Sequence, residues 1–256
     1  MALPQAVYRY YEHRLVRRLP AAALPGHVGV ILDGHRRFAR AEGHEDYSLS
    51  YRSGMAKLEE FLGWCAGLKI PAVTAWVLST ENLQRDAAEL EPYFAVLVEL
   101  FGRLPGLAAR LGFSLSVSGT LDRLPASLSR AAKQAEGAAG TGQWHVNIAL
   151  CYGGRQEIVD ACRSLVADLA ADGVPPEQIA ERIDSAGIAD HLYAADLPDP
   201  DLVIRTSGES RLSGFLLWQS AYAECVFVDP YWPAFRRVDF LRALRDFARR
   251  ERRFGR

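Results

Sequence analysis

The sequence predicts an α/β fold: a single domain with a six-stranded, mostly parallel sheet flanked by helices. Two observations carry this expectation. Six short apolar runs, at 26–34, 71–79, 113–119, 144–152, 201–206 and 224–229, recur with little polar alternation, the pattern of strands buried on both faces. Helical patterns fill the intervals, and strands separated by helices build a parallel sheet. The chain length of 256 residues suits one large domain at ~150 residues per domain or more. A composition of 49% hydrophobic and 24% charged residues excludes a disordered chain.

The elements follow in order. PQAVYRYYEHRLVRRL reads as an exposed amphipathic helix, so residues 1–24 are expected to form an N-terminal extension ahead of a main domain at 25–256. GHVGVILDG is a buried strand running into a turn at Asp33-Gly34. PAVTAWVLS is the next strand, and Leu90, Tyr93, Phe94, Leu97, Leu100 and Phe101 after it are spaced for one helix face. FSLSVSG and WHVNIALCY are strands, and RQEIVDACRSLVADLAADG is a helix closing on Gly173. DLVIRT and ECVFVD complete the set. No repeat, low-complexity linker or domain boundary stands out. No apolar run approaches the ~18 residues of a membrane span, and the first residues lack an apolar signal region. The expectation is therefore a cytoplasmic protein with at most peripheral membrane contact.

Composition removes some functions. Thirty basic against 31 acidic residues give a net charge of -1, which excludes a globally basic nucleic-acid binder. Only Lys57, Lys69 and Lys133 are lysine; the other 27 of the 30 are arginine, the better fork for phosphate oxygens. Cys65, Cys151, Cys162 and Cys225 lie far apart without a CxxC and read as reduced thiols. The six histidines show no zinc spacing.

Active sites of parallel sheets lie at the carboxyl ends of the strands, which collects Asp33, Ser79 and Arg205 on one rim. Each strand end admits two readings. Asp33-Gly34-His35-Arg36-Arg37-Phe38 suits phosphate at a helix N-terminus, with guanidinium donors and Mg²⁺ shared between Asp33 and diphosphate oxygens; it also suits a plain turn with Asp33 capping the helix. Ser79-Thr80-Glu81-Asn82-Leu83-Gln84-Arg85 is dense in hydrogen-bonding groups and reads equally as a cap. In the segment 201–219, Arg205 and Arg211 flank a glycine turn with Ser207 and Ser213, a diphosphate cradle or a solvated loop. Glu224, just beyond, is a candidate second carboxylate for a metal. The segment 236–256 carries nine arginines against three acids, a solvated helix face or a phosphate or RNA contact.

At these residues the chain resembles the cis-prenyltransferase (undecaprenyl diphosphate synthase-like) family, from about residue 25 to the end. DGHRRFAR stands for the family's DGNxRWA, LSTENLQR for its FSxENxxR, and DLVIRTSGESRLSGFLLWQSAYAE for its most diagnostic block; LCYGGRQEIVDA also matches. The nearest likeness is to the short-chain actinobacterial type with a product of about C15, and the DDxxD of trans-type enzymes is absent. The resemblance implies a homodimer that condenses small isoprenoid diphosphates with Mg²⁺. By motif position, Asp33 would hold the metal and help the allylic diphosphate leave. Gly34, Arg36 and Arg37 would bind that diphosphate, with Phe38 beside them. Arg205, Arg211 and Ser213 would bind the diphosphate of the nucleophile, conventionally isopentenyl diphosphate. Glu224 would support the metal, while Ser79, Asn82, Arg85 and Glu89 would line the reaction centre. Arg253-Phe254-Gly255 resembles an RxG tail that reaches the other subunit's site, which gives the basic C-terminus a phosphate-related rather than a nucleic-acid role.

The chemistry suits this inventory. The allylic diphosphate ionises and its carbon joins an alkene, so charge must be stabilised on the leaving group and water kept from the cation. Val77, Leu90, Tyr93, Phe94 and Leu97 are candidates for the apolar wall, or plain core. Val77 is larger than the alanine of long-chain members and would favour a short product.

Three departures from the family pattern matter: His35 for asparagine, Phe38 for tryptophan, and Tyr51 for the histidine of GHxxG. An imidazole at 35 can exchange a proton near neutral pH. This supports head-to-middle joining of dimethylallyl and geranyl diphosphate, of the isosesquilavandulyl type, alongside regular head-to-tail synthesis of Z,E-farnesyl diphosphate from geranyl and isopentenyl diphosphate. Two other classes compete. A non-catalytic regulatory partner subunit should lose its phosphate residues, yet Asp33, Arg37, Arg205, Arg211 and Ser213 are present. A nucleotide- or RNA-binding protein should carry a GxGxxG or Walker A motif, and neither occurs.

Overall fold

Each of the six apolar runs forms a strand of a single sheet in the computed structural model, which describes residues 5–44 and 46–250. The strands are β1 (His27–Ile31), β2 (Ala72–Ser79), β3 (Phe113–Ser118), β4 (Trp144–Tyr152), β5 (Leu202–Arg205) and β6 (Glu224–Phe227). Their order across the sheet is β3-β4-β2-β1-β5-β6. Every pairing is parallel, so the "mostly parallel" expectation holds without an exception. The inner strands are buried along nearly their whole length because helices cover both faces, and the polar side chains within them, His27, Thr74 and Asn147, are buried too. β1 is buried at all five positions, and β2 at all but its last.

The helices are α1 (Gln5–Arg18), α2 (His35–Ala41), α3 (Ser48–Gly67), α4 (Ala87–Leu111), α5 (Ala126–Ala138), α6 (Gly154–Ala171), α7 (Pro176–Arg182), α8 (Ser185–Asp190) and α9 (Arg237–Ala248). α6 stops where the sequence places its stop. Gly173 takes φ +79°, its N–H reaches Ala170 O at 3.1 Å, and the Val174 N–H reaches Leu169 O at 3.0 Å; this paired bonding satisfies the last carbonyls of the helix. The larger core lies under α3, α4 and α9, and a smaller one, with Trp76 and Phe215 stacked at 5.3 Å, lies on the other face.

α1 packs against the sheet-bearing part of the chain. Leu15 is buried, the Arg236 guanidinium donates to Tyr8 Oη at 3.2 Å, and Arg242 lies 5.4 Å over the Tyr11 ring. The helix therefore docks on α9 with one face. Among the described residues no helix is long and apolar enough to cross a membrane.

Register fixes where chemistry can occur. Ile31 sits beside both Trp76 and Arg205, and Ser79 beside Tyr152. The carboxyl ends of β1, β2, β4 and β5 thus share one rim, from which α2, α4 and α6 depart.

Candidate active site

A cleft of about 1040 Å³ opens at this rim, lined by the ends of four strands and by α2. The chain leaves β1 and turns at Gly34, whose φ is +106°. A Cβ there would lie 2.7 Å from Tyr231 Cδ1 and 3.0 Å from Ser207 Cβ, so only glycine allows the turn. No side chain caps α2, which removes the reading of Asp33 as a helix cap. Its carboxylate instead accepts from Arg205 Nη2 at 2.8 Å and from Arg37 Nη2 at 3.3 Å. Burial pushes the Asp33 carboxyl up, but hydrogen bonding and charge from Arg205, with the charge of Arg37, more than offset this and hold it below the usual value. It is an anion at neutral pH.

Arg205 is nearly buried: Nη1 donates to Ser213 Oγ at 2.7 Å and to the Arg211 carbonyl, while Nε has no partner. Arg37 donates to Ser207 Oγ at 2.7 Å and to Glu209 Oε1 at 2.8 Å, and Arg211 donates to Glu209 Oε2 at 2.5 Å. Ser207 and Ser213 adopt positive φ, +79° and +52°, so this loop bends in a strained conformation around the arginines. The start of the segment, residues 205–207, is buried against Asp33, while Gly208, Ser210, Arg211 and Ser213 are exposed at the rim.

The second strand end is tied back on itself. Ser79 Oγ accepts the Asn82 N–H at 3.2 Å and Asn82 Oδ1 accepts the Ser79 N–H at 3.3 Å. This reciprocal pair of bonds holds a single short turn, Glu81–Gln84, on the cleft wall, with Thr80 as its N-cap and no side chain capping it. Arg85 also lines the cleft and donates to Glu89 Oε1 at 3.0 Å. The same oxygen accepts from Tyr51 Oη at 2.9 Å, and Arg36 Nε stands 3.6 Å from Glu89 Oε2. Val77 lines the apolar side beside Leu32, Tyr51, Trp76 and Tyr93.

Several expectations need correction. Glu224 opens β6 and pairs in register with Leu202, the first residue of β5, so it lies at the amino ends of the strands, away from Asp33. It is ion-paired with Arg250. Asp33 and Glu224 of one chain therefore do not share a metal. Leu90, Phe94 and Leu97 do not line the cleft and belong to the packing of α4; Phe38 also lies outside its lining. His35 lines the cleft but turns its ring onto α3, with Nδ1 3.4 Å from Ser50 O. Burial depresses its pKa to about 4, so the imidazole is neutral near pH 7. This removes the physical basis for proton exchange by His35 near neutrality. Arg253 and Gly255 lie outside the described residues.

The cleft also holds residues that sequence reasoning missed: Arg40, Arg123, Arg155 and the Gly153-Gly154 pair. The signals were present. Arg40 lies one helical turn beyond Arg36 on α2, and Gly153-Gly154-Arg155 follows directly on the carboxyl end of β4, where the strand-end rule points.

A cleft whose one lining aspartate is clasped by Arg37 of α2 and Arg205 of β5 suits two diphosphates. A family profile described as "Putative undecaprenyl diphosphate synthase" matches residues 31–255. The chain belongs to the cis-prenyltransferase family. It is 49% identical, over 99% of its length and 97% of the relative's, to (2Z,6E)-farnesyl diphosphate synthase of Mycolicibacterium smegmatis (strain ATCC 700084 / mc(2)155). It is 50% identical, over 97% of each chain, to the enzyme of the same name in Thermobifida fusca (strain YX). Among solved structures it resembles lavandulyl diphosphate synthase from Lavandula x intermedia in complex with dimethylallyl diphosphate, with a TM-score of 0.83, 31% identity, and coverage of 92% of this chain and 100% of that one. As a cis-prenyltransferase it transfers a prenyl group with release of diphosphate, so the reading as a non-catalytic regulatory subunit is set aside. Named farnesyl diphosphate synthases among the relatives favour regular over head-to-middle joining.

Proposed function

We propose that this cis-prenyltransferase is a short-chain synthase that joins geranyl and isopentenyl diphosphate head to tail into (2Z,6E)-farnesyl diphosphate. The observation that supports this most directly is Asp33, held ionised between Arg37 and Arg205 where two guanidinium groups of residues meet over an apolar floor.

The residues fit Mg²⁺. Among the described residues no cluster of three or more His, Cys, Asp or Glu is placed to cage a metal, and Mg²⁺ characteristically takes one or two carboxylates and completes its shell with water and substrate phosphate. Asp33 would hold it; when bound, the ion supplies charge stabilisation on the departing diphosphate. Gly34, with Arg36 and Arg37, positions the allylic diphosphate, whose C–O bond breaks. Arg205, Arg211 and Ser213 hold the diphosphate of the partner whose alkene forms the new C–C bond. Ser79, Asn82 and Arg85 shape the wall between them, Glu89 lies outside the lining and holds Arg85 in place, and Val77 with Tyr51 and Tyr93 keeps water from the cationic carbon.

The reading extends to a catalytic domain at 25–256 preceded by the segment 1–24, to a cytoplasmic protein, and to a homodimer in which Arg253 and Gly255 complete the partner's site. The decisive test is product analysis by mass spectrometry and NMR. Geranyl plus isopentenyl diphosphate should give a C15 Z,E-product. Product from dimethylallyl plus geranyl diphosphate, with isopentenyl diphosphate left unconsumed, would overturn the regular reading.

A further inference from the structure

Resting on that reading, we infer that Tyr47 is a positioning residue: it holds Arg36 and Arg40 at the cleft, and Arg40 thereby becomes a further guanidinium for the allylic diphosphate. Arg36 and Arg40 stand one helical turn apart on α2, and both line the cleft. Their partners differ from those of other arginines there. Arg37, Arg205 and Arg211 each donate to a carboxylate, at 2.8, 2.8 and 2.5 Å. Arg36 Nε stands 3.6 Å from Glu89 Oε2, is shut off from solvent and has no hydrogen-bond partner. Among the described residues, the hydrogen bonds of the Arg40 guanidinium all go to Tyr47.

Tyr47 directly precedes α3. The Cζ atoms of Arg36 and Arg40 lie 5.7 and 6.0 Å from the centre of its ring, the range in which an aromatic face attracts a guanidinium. Arg40 Nε and Nη2 also donate to Tyr47 Oη, at 3.4 and 3.3 Å. This hydrogen bonding, with the charge of Arg40 and Arg36, lowers the pKa of the phenol from its ordinary value. The ring is braced edge-on by Tyr51, 6.5 Å away at 77°. Tyr47 is absent from the cleft lining, so it acts through the two arginines and not on the substrate.

The choice of spacer has a consequence. Like charges one helical turn apart repel, and a carboxylate between them would order the pair by cancelling charge. A neutral ring orders the pair and leaves both charges to the ligand. The ligand within reach is the allylic diphosphate, because α2 starts at Gly34, where that group is read to sit. The arginines of the other diphosphate, Arg205 and Arg211, are instead tied to Asp33 and Glu209 and do not touch Tyr47. Loss of Tyr47 should therefore separate the two substrates.

The test is steady-state kinetics at constant ionic strength for wild type, Tyr47→Leu, Tyr47→Phe and Arg40→Gln, with folding checked by circular dichroism. Tyr47→Leu should raise KM for geranyl diphosphate about three- to tenfold and leave kcat and KM for isopentenyl diphosphate within about twofold. Tyr47→Phe keeps the ring and loses the hydroxyl, so its KM for geranyl diphosphate should fall between those of wild type and Tyr47→Leu. Arg40→Gln should raise the same KM about threefold or more, and it carries the test alone if Tyr47→Leu does not fold. A folded Tyr47→Leu enzyme that keeps the wild-type KM for geranyl diphosphate, or loses both substrates alike, overturns the assignment, as does an unchanged KM in Arg40→Gln. A wild type that makes no prenyl product from these substrates overturns the proposed function instead.

Discussion

Replacing Arg205 by methionine tests whether Asp33 and Arg205 form the pair on which the cleft is built. Arg205 makes three bonds at once, to Asp33 Oδ2 at 2.8 Å, to Ser213 Oγ at 2.7 Å and to the Arg211 carbonyl. Its side chain is 6% exposed and that of Asp33 27%. Losing one partner of a buried pair costs about 3–5 kcal/mol. The partial exposure of Asp33, and the second guanidinium of Arg37 at 3.3 Å, bring the expected loss to about 2–3 kcal/mol. Asp33→Asn keeps an acceptor for Arg205 and should cost about 2 kcal/mol. The double variant leaves neither charge stranded, so it should be less destabilised than the two losses together, with a coupling of about 1–2 kcal/mol. Urea unfolding of all four proteins at pH 7, low salt and one protein concentration measures this directly. A coupling under ~0.5 kcal/mol, the range of independent sites, would refute the pair.

Three further predictions follow from the same geometry. A Cβ on Gly54 would sit 2.0 Å from His35 Cε1, so Gly54→Ala should destabilise by about 1–3 kcal/mol where helix propensity alone would give a gain, and adding His35→Ala should restore most of the loss in thermal unfolding. Asp33 has a folded pKa below its unfolded value, so its stabilising contribution is present above the unfolded pKa of ~3.9 and is lost as pH falls through the folded one; Asp33→Asn should flatten the acid limb of the stability curve, and an unchanged slope would contradict it. Glu157 is the opposite case. Burial raises its pKa despite donors from Tyr152, Gln219 and the Tyr193 N–H, so its contribution is greatest below the unfolded pKa and declines as pH rises through the folded one. Glu157→Gln should therefore cost less at pH 8 than at pH 4 in urea unfolding, and equal costs would rule this out.

The strands were legible because burial on both faces leaves an unbroken apolar run, and the strand-end rule then located Asp33, Ser79 and Arg205 without any contact information. The same rule, applied strictly, also settles Glu224: it begins the run ECVFVD, so it had to lie at the amino rim. Motif adjacency to Arg211 and Ser213 suggested otherwise, but 11 positions of chain from Ser213 to Glu224 are enough to return to the far end of the sheet. Helical period showed that Leu90, Tyr93, Phe94 and Leu97 face inward. It could not show that only Tyr93 meets the cleft, because that depends on what α3 places opposite each turn. His35 was read from the chemistry of a free imidazole, whereas a neighbouring glycine, Gly54, provides the space that buries it.

The arginine excess acquires a physical sense only once the carboxylates are counted against it. Asp33 engages Arg37 and Arg205, Glu209 engages Arg37 and Arg211, and Glu89 engages Arg85 and lies by Arg36. Each acid thus spaces two guanidiniums that would otherwise repel, and because an arginine carries five N–H groups in a fixed fork, Arg37 keeps its Nε–H after both Nη nitrogens have donated twice. A lysine has three donors on one compact charge but lacks the planar fork, so it cannot match this arrangement of acceptors. Arg37→Lys should therefore leave the net charge of the cleft unchanged and still weaken allylic diphosphate binding, raising KM about tenfold or more for the loss of one charge-assisted bond of ~1.5–3 kcal/mol. Steady-state kinetics at constant ionic strength check this, and a KM unchanged by Arg37→Lys would mean that charge alone, without the fork, holds the substrate.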